Sequence, residues 1–367
     1  FLGYGYTAWV SHFKHDVCYF LYDWDDLHKI LAELLRRYKN DKNYLKFLES
    51  EDAKICHLVL KQYQSIGSKN WKELNNKELF SLWRYANKLY TRLLSISHVV
   101  EGFTLTTEDR IRELIVNEFP NDSLTKIILL TTPPNHSFMA VEHYKLCLIA
   151  LNITKARLTN ANFKNYLTKR RIADKIKMHQ EKYYWKLNSY TCAKYLTIED
   201  FARELQEIFD KKIDIVKFIA DYKSLPEKIK ERKIMLKEIK NKELITLLAI
   251  SDSVFRIHDR RKECITRTIN YIDFLLAEIS RRFDVALEDL RYIAVDELEK
   301  LPAIGNELRR RRESGSVYIH LPRQKMIVLA GKKAEKYFSQ IMKYKNESKV
   351  VELKGNCASV GKVKGVV

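Results

Sequence analysis

Apolar residues recur at spacings of three and four along most of this chain, the period of a helix that buries one face. Leu27, Ile30, Leu31, Leu34 and Leu35 form one such stripe, and Asp23, Asp25 or Asp26 can cap its start. A longer run opens at Asn75 or Asn76 and passes through Leu79, Trp83, Tyr90, Leu93 and Val100. Thr106-x-x-Asp109 and Thr197-x-x-Asp200 have the form of capping boxes, each ahead of an amphipathic stretch. Pro133-Pro134 breaks the pattern, because proline lacks the amide donor and disfavours helix in the residue before it. Ser137 then opens a helix through Val141, Tyr144, Leu148 and Leu151. The longest periodic element runs from Lys242 to Phe283 without Pro or Gly. It predicts one spanning helix, or two joined near Ser251-Asp252-Ser253.

The texture changes after Pro302. Residues 317–321 and 325–329 alternate around Pro322-Arg323-Gln324 and predict a β-hairpin. Gly331 precedes a short helix ending near Met342, and the polar residues 343–349 read as a linker. Residues 352–367 then carry Gly355, Gly361 and Gly365 among small and β-branched residues, the composition of tight turns between short strands. The expected fold is mainly α. A multi-helix body covers residues 1–301, a hairpin-plus-helix appendage 302–342 and a linker 343–353. Residues 354–367 are expected to begin a β-rich mobile domain that is cut short.

Composition narrows the function classes. Hydrophobic residues make up 46% and aromatics 11% of 367, enough for a globular protein with ample core. No apolar run approaches the roughly 20 residues of a membrane span. The opening F-L-G-Y-G-Y-T-A-W lacks the basic start of a signal peptide, and it lacks an initiator Met. A cytoplasmic fragment of a larger protein, with no membrane partner, is the expectation. Cys18, Cys56, Cys147, Cys192, Cys264 and Cys357 lie far apart with no C-x-x-C pair, which suits free thiols in a reducing compartment. The formal charge of +19 permits nucleic acid or phosphorylated ligands. Most cations alternate with acids, as in Glu227-Lys228-Ile229-Lys230-Glu231-Arg232-Lys233, the pattern of solvated helical surface. Only Arg309, Arg310, Arg311 and Arg312 form a dense basic block, so charge allows a nucleic-acid binder without favouring one.

Few constellations suggest chemistry. His12 and His15, His98 and Glu101, and Glu142 beside His143 are the metal-like spacings. A di-iron helical site needs Glu-x-x-His on two helices, and the chain has none, so no metal site is expected. Neither G-x-x-x-x-G-K-[ST] nor G-x-G-x-x-G nor G-x-S-x-G occurs, and no catalytic residue is assigned. The block Arg256-x-His258-Asp259-Arg260-Arg261-Lys262 places charges inside a long amphipathic helix. Arg256 and Arg260 share a face there, and Asp259 can pair with Arg256. Arg256, His258 and Arg260, with His98 and Glu101, are the candidates for contacting a phosphate or another ligand. An inter-helix salt-bridge network is the simpler account of the block. Tyr183-Tyr184-Trp185, with Asn188 and Tyr190, could stack on a base or line a cleft, but a core with its rim is the simpler account.

Taken in order, several segments resemble the helical module that precedes the mobile domain in short PEP-utilising proteins. They are I-S-H-V-V-E-G at 96–102, Thr132-Pro133-Pro134 through Ser137-Phe138, Glu142-His143, and Glu181-Lys182-Tyr183-Tyr184-Trp185 with Asn188-Ser189-Tyr190. Asp259-Arg260-Arg261-Lys262, Leu290-Arg291-Tyr292 with Asp296-Glu297-Leu298, and the four arginines at 309–312 complete the set. The terminal G-x-x-A-S-x-G-x-V-x-G, carried by Gly355, Ala358, Ser359, Gly361 and Gly365, resembles the opening strands of the swivelling phosphohistidine domain of phosphoenolpyruvate synthase (pyruvate, water dikinase) and its relatives.

The resemblance implies a phosphotransferase in which a histidine on a hinged domain takes phosphoryl from ATP, with magnesium, and carries it to an acceptor such as pyruvate. It places that histidine beyond Val367, and none of the ten histidines present has its Gly/Thr-rich context. ATP-grasp and PEP-binding domains are implied as fused or separate partners, and residues 343–349 fall where the hinge belongs. By itself the chain is expected to hold no cofactor and to be inert. The alternative expectation is a non-catalytic binding or regulatory protein that kept the helical and mobile modules.

Overall fold

A computed structural model of the chain describes residues 2, 5–14, 17–156, 163–190, 192–322 and 324–345. Two strands come first, β1 (Trp9–Lys14) and β2 (Val17–Tyr22). There follow α1 (Trp24–Asn40), α2 (Tyr44–Gly67), α3 (Asn76–Leu93), α4 (Ser97–Glu118), α5 (Ser123–Leu130) and α6 (Phe138–Lys155). Next are α7 (Phe163–Thr168), α8 (Arg170–Tyr183), α9 (Ile198–Asp210), α10 (Ile215–Lys223), α11 (Leu225–Met235) and α12 (Lys242–Phe283). The short α13 (Leu287–Leu290) and α14 (Gly305–Ser314) lead to β3 (Ser316–His320), β4 (Ile327–Ala330) and α15 (Lys332–Lys345). The fold is mainly α. The expected mobile-domain motif, Gly355 to Gly365, lies outside the described residues, as does all but the first few residues of the expected linker.

Helix starts follow local chemistry. The Asp23 carboxylate accepts from the Asp26 N–H at 3.0 Å and Ser137 Oγ from the Ala140 N–H at 3.2 Å, each satisfying a free donor of the first turn. Asn75 with Glu78 and Thr197 with Asp200 form reciprocal capping boxes. Thr106-x-x-Asp109 is no cap. It lies inside α4, where Thr106 Oγ1 bonds back to the Gly102 carbonyl at 2.5 Å, because that helix already began at Ser97 after a single 3-10 turn.

The run from Lys242 to Phe283 is one unbroken helix of 42 residues, about 63 Å long. Ser253, inside the suspected break, is buried and donates to Glu49 of α2, so the polar triplet is an inter-helix contact. Two cores are built along α12. Its first half packs Leu244, Leu248 and Ile257 against Ile30 and Leu34 of α1 and Val99 and Phe103 of α4. Its second half packs Ile265, Ile269 and Ile279 against Val59 and Tyr63 of α2 and Leu79 and Trp83 of α3. A third core, with Cys147, Ile176, Phe201 and Leu205, joins α6 to α10.

Gly102 sets the closest approach of α1 to α4. A Cβ there would stand 2.4 Å from Ile30 Cγ2, in a core position with no slack. Gly102→Ala is expected to lower stability by about 1–2 kcal/mol, overpacking outweighing the better helix propensity. Ile30→Leu, which removes the β-branch methyl, should recover part of that loss in urea unfolding, and no recovery would refute the steric account.

The helical body does not begin at Phe1, as the sequence had suggested. β1 and β2 pair antiparallel, and β1 also pairs with β3, giving a sheet of order β2-β1-β3-β4. The hairpin near residue 320 forms as expected, with Ser316 opposite Ala330 and Ile319 opposite Ile327. It is completed by the chain's other end, with Trp9 opposite His320, so it is no separate appendage. α15 extends to Lys345 and covers one face of the sheet, stacking Phe338 on His12 at 3.7 Å between ring centroids. Gly315 makes the turn from α14 into β3 at φ +81°, where any side chain would be strained.

Candidate functional site

The charged block of α12 divides by helix face. Arg256 Nε donates to Glu49 Oε2 and Arg260 Nη1 to Asp52 Oδ2, each at 2.9 Å, tying α12 to α2. These two candidates are thus committed to inter-helix ion pairs. Asp52 is buried, and its carboxyl is pushed up to about 6 by desolvation despite Arg260. Asp259 does not pair with Arg256. It accepts from the Phe138 N–H at 3.1 and 3.2 Å, holding the start of α6 where the helix dipole favours negative charge. The His258 imidazole is pushed down to about 4, by desolvation first and then by Arg261 and Lys262.

Arg261, which the sequence did not single out, is turned about 100° from Arg260 and faces α4. Its side chain is only 3% exposed. Nη2 donates to Glu101 Oε1 at 3.3 Å, and Nη1 donates to Ser97 Oγ. His98 and Glu101 are therefore brought beside it, one turn apart on the same helix. Tyr6, just before β1, lies across the gap with its ring 4.8 Å from Tyr22 and 6.4 Å, edge-on, from His98. Tyr90 of α3 and Tyr190, between α8 and α9, lie within electrostatic range of Arg261.

The protonation states follow from burial. Desolvation, then Glu101, raises the hydroxyls of Tyr6 and Tyr22. Desolvation also raises Tyr90 and Tyr190, and Arg261 opposes it in every case. Desolvation pushes the Glu101 carboxyl up against the pull of Arg261 and pushes His98 down to about 4. Near neutral pH the cluster therefore brings together one guanidinium, one carboxyl, a neutral imidazole and four neutral phenols. The Glu101 side chain keeps 21% of its surface accessible while desolvation suppresses its acidity.

Arg261 Nε, Glu101 Oε2 and Tyr6 Oη are buried here, and none makes a hydrogen bond among the described residues. Each such atom forfeits about 1–3 kcal/mol, and native interiors leave few of them. A donor, an acceptor and a hydroxyl in one place match a small ligand rich in oxygen.

The segment carrying Tyr190 is fixed from below. Asn188 Nδ2 donates to the Thr266 carbonyl at 2.7 Å, and Asn188 Oδ1 accepts from the Lys194 N–H at 2.7 Å. Gln180 Nε2 donates to the Leu196 carbonyl at 2.9 Å. Asn188 thus pins the strap to α12. Tyr183 and Trp185 are core, whereas Tyr184 is half-buried.

Other sequence candidates resolve into structure. Glu142 is buried with His179 at 2.9 Å and Lys186 at 2.6 Å, an internal ion-pair cluster. His12 lies under Phe338, and His15 is outside the described residues. Among the described residues no three or more His, Cys, Asp or Glu side chains gather in a metal-binding arrangement. Arg311 bonds Glu297 at 2.7 and 2.8 Å, Arg312 and Arg309 share Asp289 at 2.6 and 3.5 Å, and Arg310 reaches Glu307 at 2.6 Å. The arginine block is therefore matched by acids and is no bare basic patch. Cys18, Cys56, Cys147, Cys192 and Cys264 are free thiols.

Among the described residues no helix is long and apolar enough to cross a membrane. No family model, no curated protein and no solved structure matches the chain.

Proposed function

We propose that the chain is the helical module of a phosphotransferase of the PEP-utilising type, and that the Arg261 cleft holds its small anionic acceptor. One observation carries this reading. Three segments of the resemblance, around Glu101, Tyr190 and Arg261, come together in one buried cluster although Glu101 and Arg261 are 160 residues apart. In that cluster Arg261 Nε–H and the phenols donate to an acid group, while Glu101 Oε2 accepts from a hydroxyl. Phosphoryl delivery falls to a histidine on the swivelling domain, with ATP and magnesium held by partner domains. The free thiols support a reducing, cytoplasmic setting.

The test is calorimetric titration with pyruvate and with phosphoenolpyruvate, followed by incubation of the complete natural protein with radiolabelled ATP or phosphoenolpyruvate. The wild-type chain should bind at least one of the two acids, and Tyr6→Phe should weaken that binding about tenfold, the effect of losing one hydrogen bond to a charged group. The complete protein should gain an acid-labile, base-stable phosphoryl group. Binding without any phosphoenzyme would establish the non-catalytic binding module instead, and no binding would remove the acceptor site.

A further inference from the structure

α1 begins with half of a capping box. Asp23 at the N-cap accepts from the Asp26 N–H, but Asp26, three residues on, does not return a bond to the Asp23 N–H. In α3 and α9 the acid at the same position, Glu78 or Asp200, completes the box. Asp26 is used elsewhere. Its Oδ2 accepts from Thr7 N at 2.6 Å and from Thr7 Oγ1 at 2.7 Å, across nineteen residues. The residue is 4% exposed, and the Lys29 ammonium stands off at 4.0 Å. A buried carboxyl needs hydrogen-bond partners, and both of these belong to Thr7.

Thr7 adjoins Tyr6, so fixing its amide fixes the Tyr6 Cα one 3.8 Å step away. Upstream, Arg37 Nη2 donates to the Leu2 carbonyl at 2.8 Å, and the Leu2 side chain enters the first core. Tyr6 therefore reaches the Arg261 cluster between two ties to α1, of which Thr7 is the adjacent one. Its own hydroxyl makes no hydrogen bond among the described residues, so nothing in the cluster holds it by its polar end. The Tyr6 ring is placed by packing on Tyr22 and by the backbone on either side. After desolvation and Glu101, Asp26 also raises the Tyr6 hydroxyl, which puts the Asp26 carboxylate within electrostatic range of the ring it serves.

We infer that Asp26 is a positioning residue: through Thr7 it holds Tyr6 beside Arg261 and Glu101. The effect on ligand affinity rests on the acceptor site proposed above, whereas the placement of Tyr6 does not.

Nuclear Overhauser contacts between the Tyr6 and Tyr22 rings, whose centroids lie 4.8 Å apart, read the placement in the full chain without ligand. Wild type should show them. So should Asp25→Ala, which removes an acid from the same helical turn but no bond to Thr7, and Thr7→Ser, which keeps both donors. Asp26→Ala should lose them. Asp26→Asn, which keeps one oxygen for the Thr7 amide, should fall between and serves where the alanine variant does not fold. Wild-type contacts in both Asp26 variants overturn the inference. Titration with pyruvate and phosphoenolpyruvate reads the consequence. Tyr6→Phe and Asp26→Ala should each weaken binding about tenfold and the double variant no further, because Asp26 acts through Tyr6. A mere defect at the helix start would leave the Tyr6→Phe effect intact. Losses that multiply, or wild-type affinity in Asp26→Ala, therefore overturn the inference too. If wild type binds neither acid while the ring contacts depend on Asp26, the acceptor reading falls and the positioning role stands.

Discussion

Arg261→Met is expected to lower the unfolding free energy by about 3–5 kcal/mol at pH 7.5, the usual result of stripping one partner from a buried ion pair. The guanidinium is 3% exposed, and its removal leaves the Glu101 carboxylate without its compensating charge. Glu101 is already pushed up by desolvation, so the variant can relieve the strain by taking a proton. Its deficit should therefore shrink as pH falls toward 5, which a plain packing defect would not do. The double variant Arg261→Met/Glu101→Leu removes both charges and should return to within about 1 kcal/mol of wild type. Urea unfolding of the four proteins in a double-mutant cycle gives the coupling directly. A double variant as unstable as the single would mean that Arg261 acts through packing and not through Glu101. If the double variant is stable but no longer binds the acid ligand, stability and recognition have been separated at one residue pair.

What was legible in the sequence was what is local. The capping box at Thr197, the stop at Pro133-Pro134 and the bounds of the Lys242–Phe283 periodicity all depend on residues within a turn or two of one another, whereas the choice between one helix and two near Ser251-Asp252-Ser253 was settled by a contact to α2. β1 and β2 were not legible, although Trp9-Val10-Ser11-His12-Phe13 and Val17-Cys18-Tyr19-Phe20-Leu21-Tyr22 are rich in β-branched and aromatic residues. A lone hairpin is marginal in water. What sustains this one is β3, paired to it by Trp9 and His320 across some three hundred residues. The cleft divides in the same way. His98 and Glu101 were visible as a spaced pair on one helix, but no local signal marks Tyr6, Tyr22 or Tyr90 as their neighbours. Arg256 and Arg260 stand out in the sequence because side chains four apart form one row, and Arg261 falls outside that row. The residue one step round, at 100°, faces a different helix. The arginines at 309–312 misled for a related reason. Glu307 pairs with Arg310 within the helix, but Asp289 and Glu297, which take Arg309, Arg311 and Arg312, lie upstream of α14, where sequence spacing could not pair them.

Acidification should expose two histidines that the fold keeps neutral. His98, at the cleft, and His320, stacked on Trp9 at 3.6 Å in the sheet, are both pushed from 6.5 down to about 4 by desolvation, opposed at His98 by a backbone hydrogen bond. The unfolded chain binds these protons more tightly than the folded one. Their contribution to stability is therefore complete above pH 6.5 and lost progressively as pH falls to 4, about 3 kcal/mol for each ring. Asp52 works in the opposite sense. Its carboxyl is pushed up from 3.8 to about 6, so the folded state gains about 3 kcal/mol as pH falls through that window, and Glu101 and Asp259 lean the same way. In the wild-type protein the opposing effects leave a shallow acid loss that by itself identifies no residue. The substitutions separate them. His98→Gln and His320→Gln should each remove about 3 kcal/mol of the loss between pH 7 and pH 4, and the double variant should keep the part of the loss that His258, also pushed down to about 4, and the lowered His12 and His136 contribute. Urea unfolding at the two pH values reads this difference for all four proteins. If the double variant lost stability in parallel with wild type, the two imidazoles would have to be protonated already in the folded state. The neutral cleft required by the acceptor site would then be lost with them.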